Sequence, residues 1–247
     1  MKKILYLLLL TSQFFAAQTG FEKGNALYQK GKYEEAIAAY ETVLGSKKES
    51  AELYFNIGNC YYKLNKVAPA IYNYEKAKVL DPNDREIENN LTFAHKMTID
   101  EIKVVPKVGF AKLLRDFTGT FHYDTWAWIT VALSGCFLLF FIGYYFSQYA
   151  LSKRIFFIGM FMLVFLILLS ALAAIFEKSH DENERPAIVF AEIAQVKSEP
   201  KASSSDVFLL HEGAKVYLHE KIENWVKIEL TDGSEGWIES SAVKSVK

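Results

Sequence analysis

The polarity of this chain changes regime twice. From Thr125 to Ser152, and again from Ile155 to Phe176, no residue is charged, and only Lys153 and Arg154 separate the two runs. About 20 consecutive apolar residues suffice for a helix to cross a bilayer. The block therefore predicts two membrane-spanning helices, 125–146 and 155–176, joined by the loop 147–154. Trp126, Trp128, Tyr144, Tyr145 and Tyr149 gather toward the ends of the first span, where aromatic side chains settle at the membrane–water interface. Burying the same two helices inside a soluble core would demand a large polar shell, and neither flank supplies one.

Upstream the pattern is amphipathic and helical, and it repeats. Gly24 and Gly58, Asn25 and Asn59, Tyr28 and Tyr62, Ala36 and Ala70, Tyr40 and Tyr74 are all pairs of the form i and i+34. The small residues Gly58 and Ala70 fall where two antiparallel helices would approach closely, and Tyr54, Ile57, Tyr61 and Tyr74 would fill the space around them. Asp81-Pro82 ends one helix and opens a turn. Two copies are predicted, 17–50 and 51–84. The stripe Ile87, Leu91, Ala94 then predicts one capping helix within 85–98, covering an end that a stack of repeats leaves open. The linker 99–124 contains Phe110, Leu113, Leu114, Phe117 and Phe121 among Lys112, Arg115 and Asp116. It reads either as a helix lying on the membrane surface or as a docking helix for a membrane partner.

Downstream of the polar linker 177–185 the period drops to two. Val226, Ile228 and Leu230 alternate with Lys227 and Glu229, Thr231-Asp232-Gly233-Ser234 is a hairpin turn, and Gly236-Trp237-Ile238 starts the returning strand. Five or six short strands over 186–247 predict a small closed all-β barrel.

Lys2 and Lys3 precede the apolar run Ile4–Leu10, the pattern of an export signal over 1–17, either cleaved after Ala17 or kept as an anchor. With Lys153 and Arg154 held in the cytoplasm by the positive-inside rule, both soluble regions are expected on the periplasmic side of the inner membrane. The formal net charge is −1. Residues 18–124 carry fifteen basic and fifteen acidic side chains, and 177–247 carry nine and fourteen, so no basic patch suited to nucleic acid is present. Cys60 and Cys136 lie in different regimes; they read as two buried thiols rather than a disulfide.

The second copy, with Tyr54, Ile57, Gly58, Tyr61, Ala70, Tyr74, Ala77 and Pro82 in place, resembles the tetratricopeptide repeat. The resemblance implies that the first helix of each repeat lines a concave face. It would present Asn25, Gln29, Phe55, Asn59, Tyr62 and Lys63 to an extended peptide. Gly213, Trp225, Lys227, Asp232-Gly233 and Gly236-Trp237-Ile238 resemble a bacterial SH3-like domain over 186–247, with Trp225 and Trp237 as its candidate binding surface. The order of signal, repeat array, hairpin and SH3-like domain resembles the aerotolerance operon protein E family of Bacteroides. That resemblance implies a non-enzymatic partner of envelope proteins, including membrane proteins with von Willebrand A domains, linked to oxygen or envelope stress. The competing expectation is a cell-wall anchor or sensor that holds peptidoglycan through the SH3-like domain.

The fold class expected is thus a multidomain membrane protein: all-α array, two-helix hairpin, small all-β barrel. His95, His122, His180, His211 and His219 show no metal-binding spacing and read as surface residues. No phosphate-cradling loop, catalytic Cys–His pair or G-x-S-x-G occurs. No catalytic residue, metal or cofactor is expected, and the partners are envelope proteins, peptidoglycan and membrane lipid.

Overall fold

The sequence repeat becomes a set of helix pairs because each copy packs itself in the same way. The computed structural model describes residues 20–102 and 109–247; the expected signal, 1–17, and the middle of the linker lie outside these. Helices α1 (20–29), α2 (Tyr33–Gly45), α3 (Ala51–Lys63), α4 (Val67–Leu80) and α5 (Arg85–His95) follow in order. Ser50 Oγ accepts the Leu53 N–H at 3.1 Å and opens α3. Asp84, one full period later, accepts the N–H groups of Glu86 and Ile87 and opens α5. A Cβ on Gly58 would sit 2.7 Å from the Tyr74 ring, and one on Gly24 would sit 2.3 Å from the ring of Tyr40. Only glycine lets these rings lie flat against the first helix of each pair. Leu53, Ile57 and Cys60 with Ala36, Ile37 and Tyr40 form one core cluster. Ala70, Ile71, Tyr74, Leu91 and Ala94 belong to the next.

The period also runs on beyond the second copy. Leu53, Asn56, Ile57 and Cys60 recur as Ile87, Asn90, Leu91 and Ala94. Helix α5 therefore has the character of the first helix of a third repeat, without a packed second helix among the described residues.

The C-terminal region forms β1 (Pro186–Val189), β2 (Ile193–Lys197), β3 (Asp206–His211), β4 (Lys215–Ile222), β5 (Trp225–Glu229), β6 (Glu235–Glu239) and β7 (Val243–Ser245). They make one seven-stranded antiparallel sheet in the order β3-β2-β6-β5-β4-β1-β7. This corrects the expected fold class: the sheet is not closed into a barrel, and it has seven strands rather than five or six. The ends β3 and β7 pair only with β2 and β1. The physical reason lies in β1, whose four residues are all buried. Ala187 and Val189 enter the sheet core with Val196, Val216, Ile228 and Ile238, whereas Ile188 on the other face joins the helical cluster of α4, as does Val246 just after β7. The end that would close a barrel is spent on the helices.

The helical array and the sheet accordingly form one compact unit, although the whole of 106–184 intervenes in sequence. Lys215 Nζ lies 2.8 Å from both carboxylate oxygens of Glu75, whose side chain is 5% exposed. The Tyr72 and Phe190 rings meet edge-on at 5.6 Å, with Lys244 Nζ 4.4 Å from the Tyr72 centroid. Asp100 accepts the His211 backbone N–H at 2.6 Å and faces its ring Nδ1 at 2.8 Å. Gly213 adopts φ +87°, and a Cβ there would lie 2.9–3.1 Å from Thr98, Val67 and Ile71.

The second unit, as described over 109–184, contains α6 (Phe110–Thr118), α7 (Tyr123–Phe146) and α8 (Ala150–Asn183). Helices α7 and α8 are both long and apolar enough to cross a membrane, and almost none of their apolar positions is buried. Helix α8 runs beyond 155–176 at both ends, so 150–154 and most of the polar stretch after Phe176 are helical too. The pair packs through matched small and large residues. A Cβ on Gly143 would meet the Phe156 ring at 2.7 Å, one on Gly159 would meet the Phe140 ring at 2.3 Å, and the two rings cross at 90°. Thr130 and Ser170 share a 2.8 Å hydrogen bond across the helices. Cys136, expected to be buried, instead lies on the uncovered side of α7, while Cys60 is fully buried.

Candidate peptide-binding groove

Two equivalent side-chain ladders, one per repeat, run along the inner helices α1, α3 and α5. Tyr40 donates its hydroxyl proton to Asn25 Oδ1 at 2.6 Å, and Asn56 Nδ2 donates to the same oxygen at 3.3 Å. Tyr74 donates to Asn59 Oδ1 at 2.7 Å, and Asn90 Nδ2 donates there at 2.9 Å. Burial holds the Tyr74 hydroxyl well above the ordinary phenol range, with smaller contributions from Tyr28, Tyr62 and Cys60, so it remains a donor. Asn25 and Asn59 thus have their oxygens committed to the fold and keep their amide N–H groups for something else.

Beside the second ladder lies a cavity of about 160 Å³, lined by Tyr28, Asn59, Tyr62, Lys63, Tyr74, Asn90 and Phe93. Of the residues expected at a groove, the structure brings Asn59, Tyr62 and Lys63 together here. Asn25 sits one ladder away. Gln29 is exposed near the end of α1 and does not line the cavity. Phe55 turns elsewhere, packing at 5.8 Å on the Tyr74 ring against the core. Tyr28, Tyr74, Asn90 and Phe93 are additions. Asn90 was detectable as the periodic echo of Asn56, but Phe93 has no such signal. Lys63 is exposed and makes no ion pair among the described residues.

In the sheet, the β5–β6 register puts Trp225, Lys227, Trp237 and Glu239 on one face and Val226, Ile228 and Ile238 on the core face. Trp225 is half-buried and lines a cleft of about 450 Å³ with Ile193, Gln195, Lys197, Glu239 and Ser241. Trp237 is 9% exposed and does not reach that cleft. The histidines divide as well. His211 is tied to Asp100, and His219 meets Glu229 at 2.8 Å, while His95 is half-buried on α5.

Comparison with protein families gives three matches. Residues 24–65 match a TPR repeat family, residues 51–84 the tetratricopeptide repeat, and residues 194–244 the bacterial SH3 domain. The chain joins TPR repeats to a bacterial SH3-like domain. No curated protein matches it. Both module types are generally used for protein–protein interaction, and their combination is typical of non-catalytic scaffold proteins. No cluster of three or more His, Cys, Asp or Glu side chains suited to a metal occurs among the described residues.

Proposed function

We propose that the protein is a membrane-anchored adaptor that recruits another envelope protein by binding an extended segment of it in the TPR groove. The observation that carries this reading is the cavity beside Asn59. The Lys63 cation, without an ion pair among the described residues, converges there with free amide donors and the aromatic surfaces of Tyr62 and Phe93. This is the mixture of polar anchors and apolar area that a peptide needs. In this reading the protein acts as the aerotolerance operon protein E family is thought to act, beside von Willebrand A domain membrane proteins in oxygen or envelope stress. Helices α7 and α8 form a transmembrane hairpin in the inner membrane with residues 147–154 on the cytoplasmic side. The contact of the TPR array with the SH3-like sheet supports this topology, because a single body built from chain before and after the hairpin requires both to emerge on the same side. Reporter fusions after Ser152 and after Lys247 should read cytoplasmic and periplasmic, respectively.

A second reading rests on the Trp225 cleft, which suits a cell-wall sugar or peptide stacked on the indole. Crosslinking and co-purification of the full chain separate the two. Lys63→Glu should lose the protein partner and Trp225→Ala should keep it. The cell-wall reading predicts that peptidoglycan pulldown survives Lys63→Glu and fails with Trp225→Ala. Equal partner recovery with and without Lys63 would overturn the adaptor reading. Point variants are preferable to deleting the SH3-like domain, since deletion would strip the cover provided by Ile188 and Val246 from the TPR core.

A further inference from the structure

Helix α6 has one face engaged and one bare. Its buried Thr118 accepts the Trp126 indole N–H through the backbone carbonyl at 2.7 Å. Phe117 and Phe121 pack on the same indole with centroids at 5.3 Å, and Arg115 reaches Glu184 at 3.1 Å. The helix is thereby pinned to the start of α7 and the end of α8. Phe110, Leu113 and Phe117, spaced i, i+3 and i+7, make a single stripe that runs outward from that indole, with Phe110 80% and Leu113 68% exposed. Lys112 and Asp116 flank the stripe and are exposed as well.

We propose that α6 is a membrane-surface helix, seated among the headgroups at the end of the hairpin where α7 begins, with Phe110, Leu113 and the open edge of Phe117 turned to the acyl chains. The proposal rests on the transmembrane reading of α7 and α8. Two observations select lipid as the occupant. First, the stripe continues an apolar surface: only residues 119–122 separate α6 from α7, whose Trp128 and Val131 are exposed. Second, Lys112 lies exposed beside the stripe, a cation placed to meet anionic headgroups. A helix with an apolar stripe and a charged opposite face lies in the plane of the interface rather than across it.

The test uses the full chain, with Cys136→Ser and the inert Cys60 retained, reconstituted in mixed phosphatidylcholine–phosphatidylglycerol vesicles. A fluorophore is attached at Leu113→Cys, Lys112→Cys or Leu139→Cys. Position 113 should be quenched severalfold more by lipid spin-labelled near the headgroup end of the acyl chain than position 112, and severalfold less by aqueous iodide. Equal iodide access at 112 and 113, without lipid quenching at 113, would overturn the proposal. Position 139, midway along α7, separates the two levels of failure. Quenching there by spin label at the chain middle, together with a water-exposed 113, removes the surface helix alone. No quenching at 139 removes the hairpin and the surface helix with it.

Discussion

Replacing Lys215 by Met should destabilise the TPR–SH3 body more than any exposed ion pair could. Glu75 is almost fully enclosed, and its two oxygens both face Lys215 Nζ. Removing one partner of a buried pair leaves an uncompensated charge, at a cost of about 3–5 kcal/mol. Lys78 and His95 share the neighbouring cavity and soften that penalty, so the low end, about 3 kcal/mol, is expected. For a body of this size, about 2–4 °C of melting temperature accompany each kcal/mol, giving a fall of roughly 6–12 °C. The assay is thermal unfolding of the full chain in detergent, followed by near-ultraviolet circular dichroism of the tyrosines and tryptophans. The double variant Glu75→Leu/Lys215→Met removes both charges and should recover most of the loss. A Lys215→Met melting temperature within about 1 °C of the parent would refute the reasoning. So would a double variant that falls as far as the single one.

Three further outcomes follow from the same structure. Gly213→Ala should lower the melting temperature as well, because a side chain at φ +87° is strained and its Cβ would press on Val67 and Ile71; unchanged melting would contradict the close approach. Burial pushes the Cys60 thiol up to about 12, so maleimide should leave it unmodified in the native protein and label it once denaturant opens the array; mass spectrometry reads the difference. Burial, more than the neighbouring Lys215 and Lys78, lowers the His95 pKa below its ordinary 6.5, with Glu75 opposing. The unfolded chain then binds the proton more readily, so stability is complete above 6.5 and is lost as pH falls below it toward the folded value. His95→Gln should flatten that part of the stability–pH curve, and an unchanged slope would remove His95 from the account.

The helical array was legible because its signal is local. Glycine, tyrosine and alanine return at the same place in each copy, and each return is a packing requirement. The continuation through Asn56 and Asn90 is masked by the stronger apolar stripe of α5, although it is the polar echo that carries the ladder. The groove was only partly readable. Helix phase placed Asn59, Tyr62 and Lys63, but the same phase could not reveal that Phe55 would rotate onto Tyr74. The open sheet was hidden for a different reason. Pro186-Ala-Ile-Val is a continuous apolar run, and a period of two cannot assign such a run to one face. Its second face belongs to α4, an element far upstream that also supplies Glu75 to Lys215.

The split body also dictates an order of assembly. Bringing β1 to α4 closes a loop through 103–184, which for a free chain of roughly 80 residues costs about 4 kcal/mol of closure entropy. If α6, α7 and α8 have already folded, the chain left to order is roughly 8 residues and that cost falls to about 2 kcal/mol. Folding of α6, α7 and α8 first would therefore deliver the sheet to the waiting helices at a raised local concentration. A sheet released before insertion would present Ile188, Phe190 and the edges of β3 and β7 to other chains. On the proposed transmembrane reading of α7 and α8, membrane insertion would serve as a folding step for residues that lie outside the span.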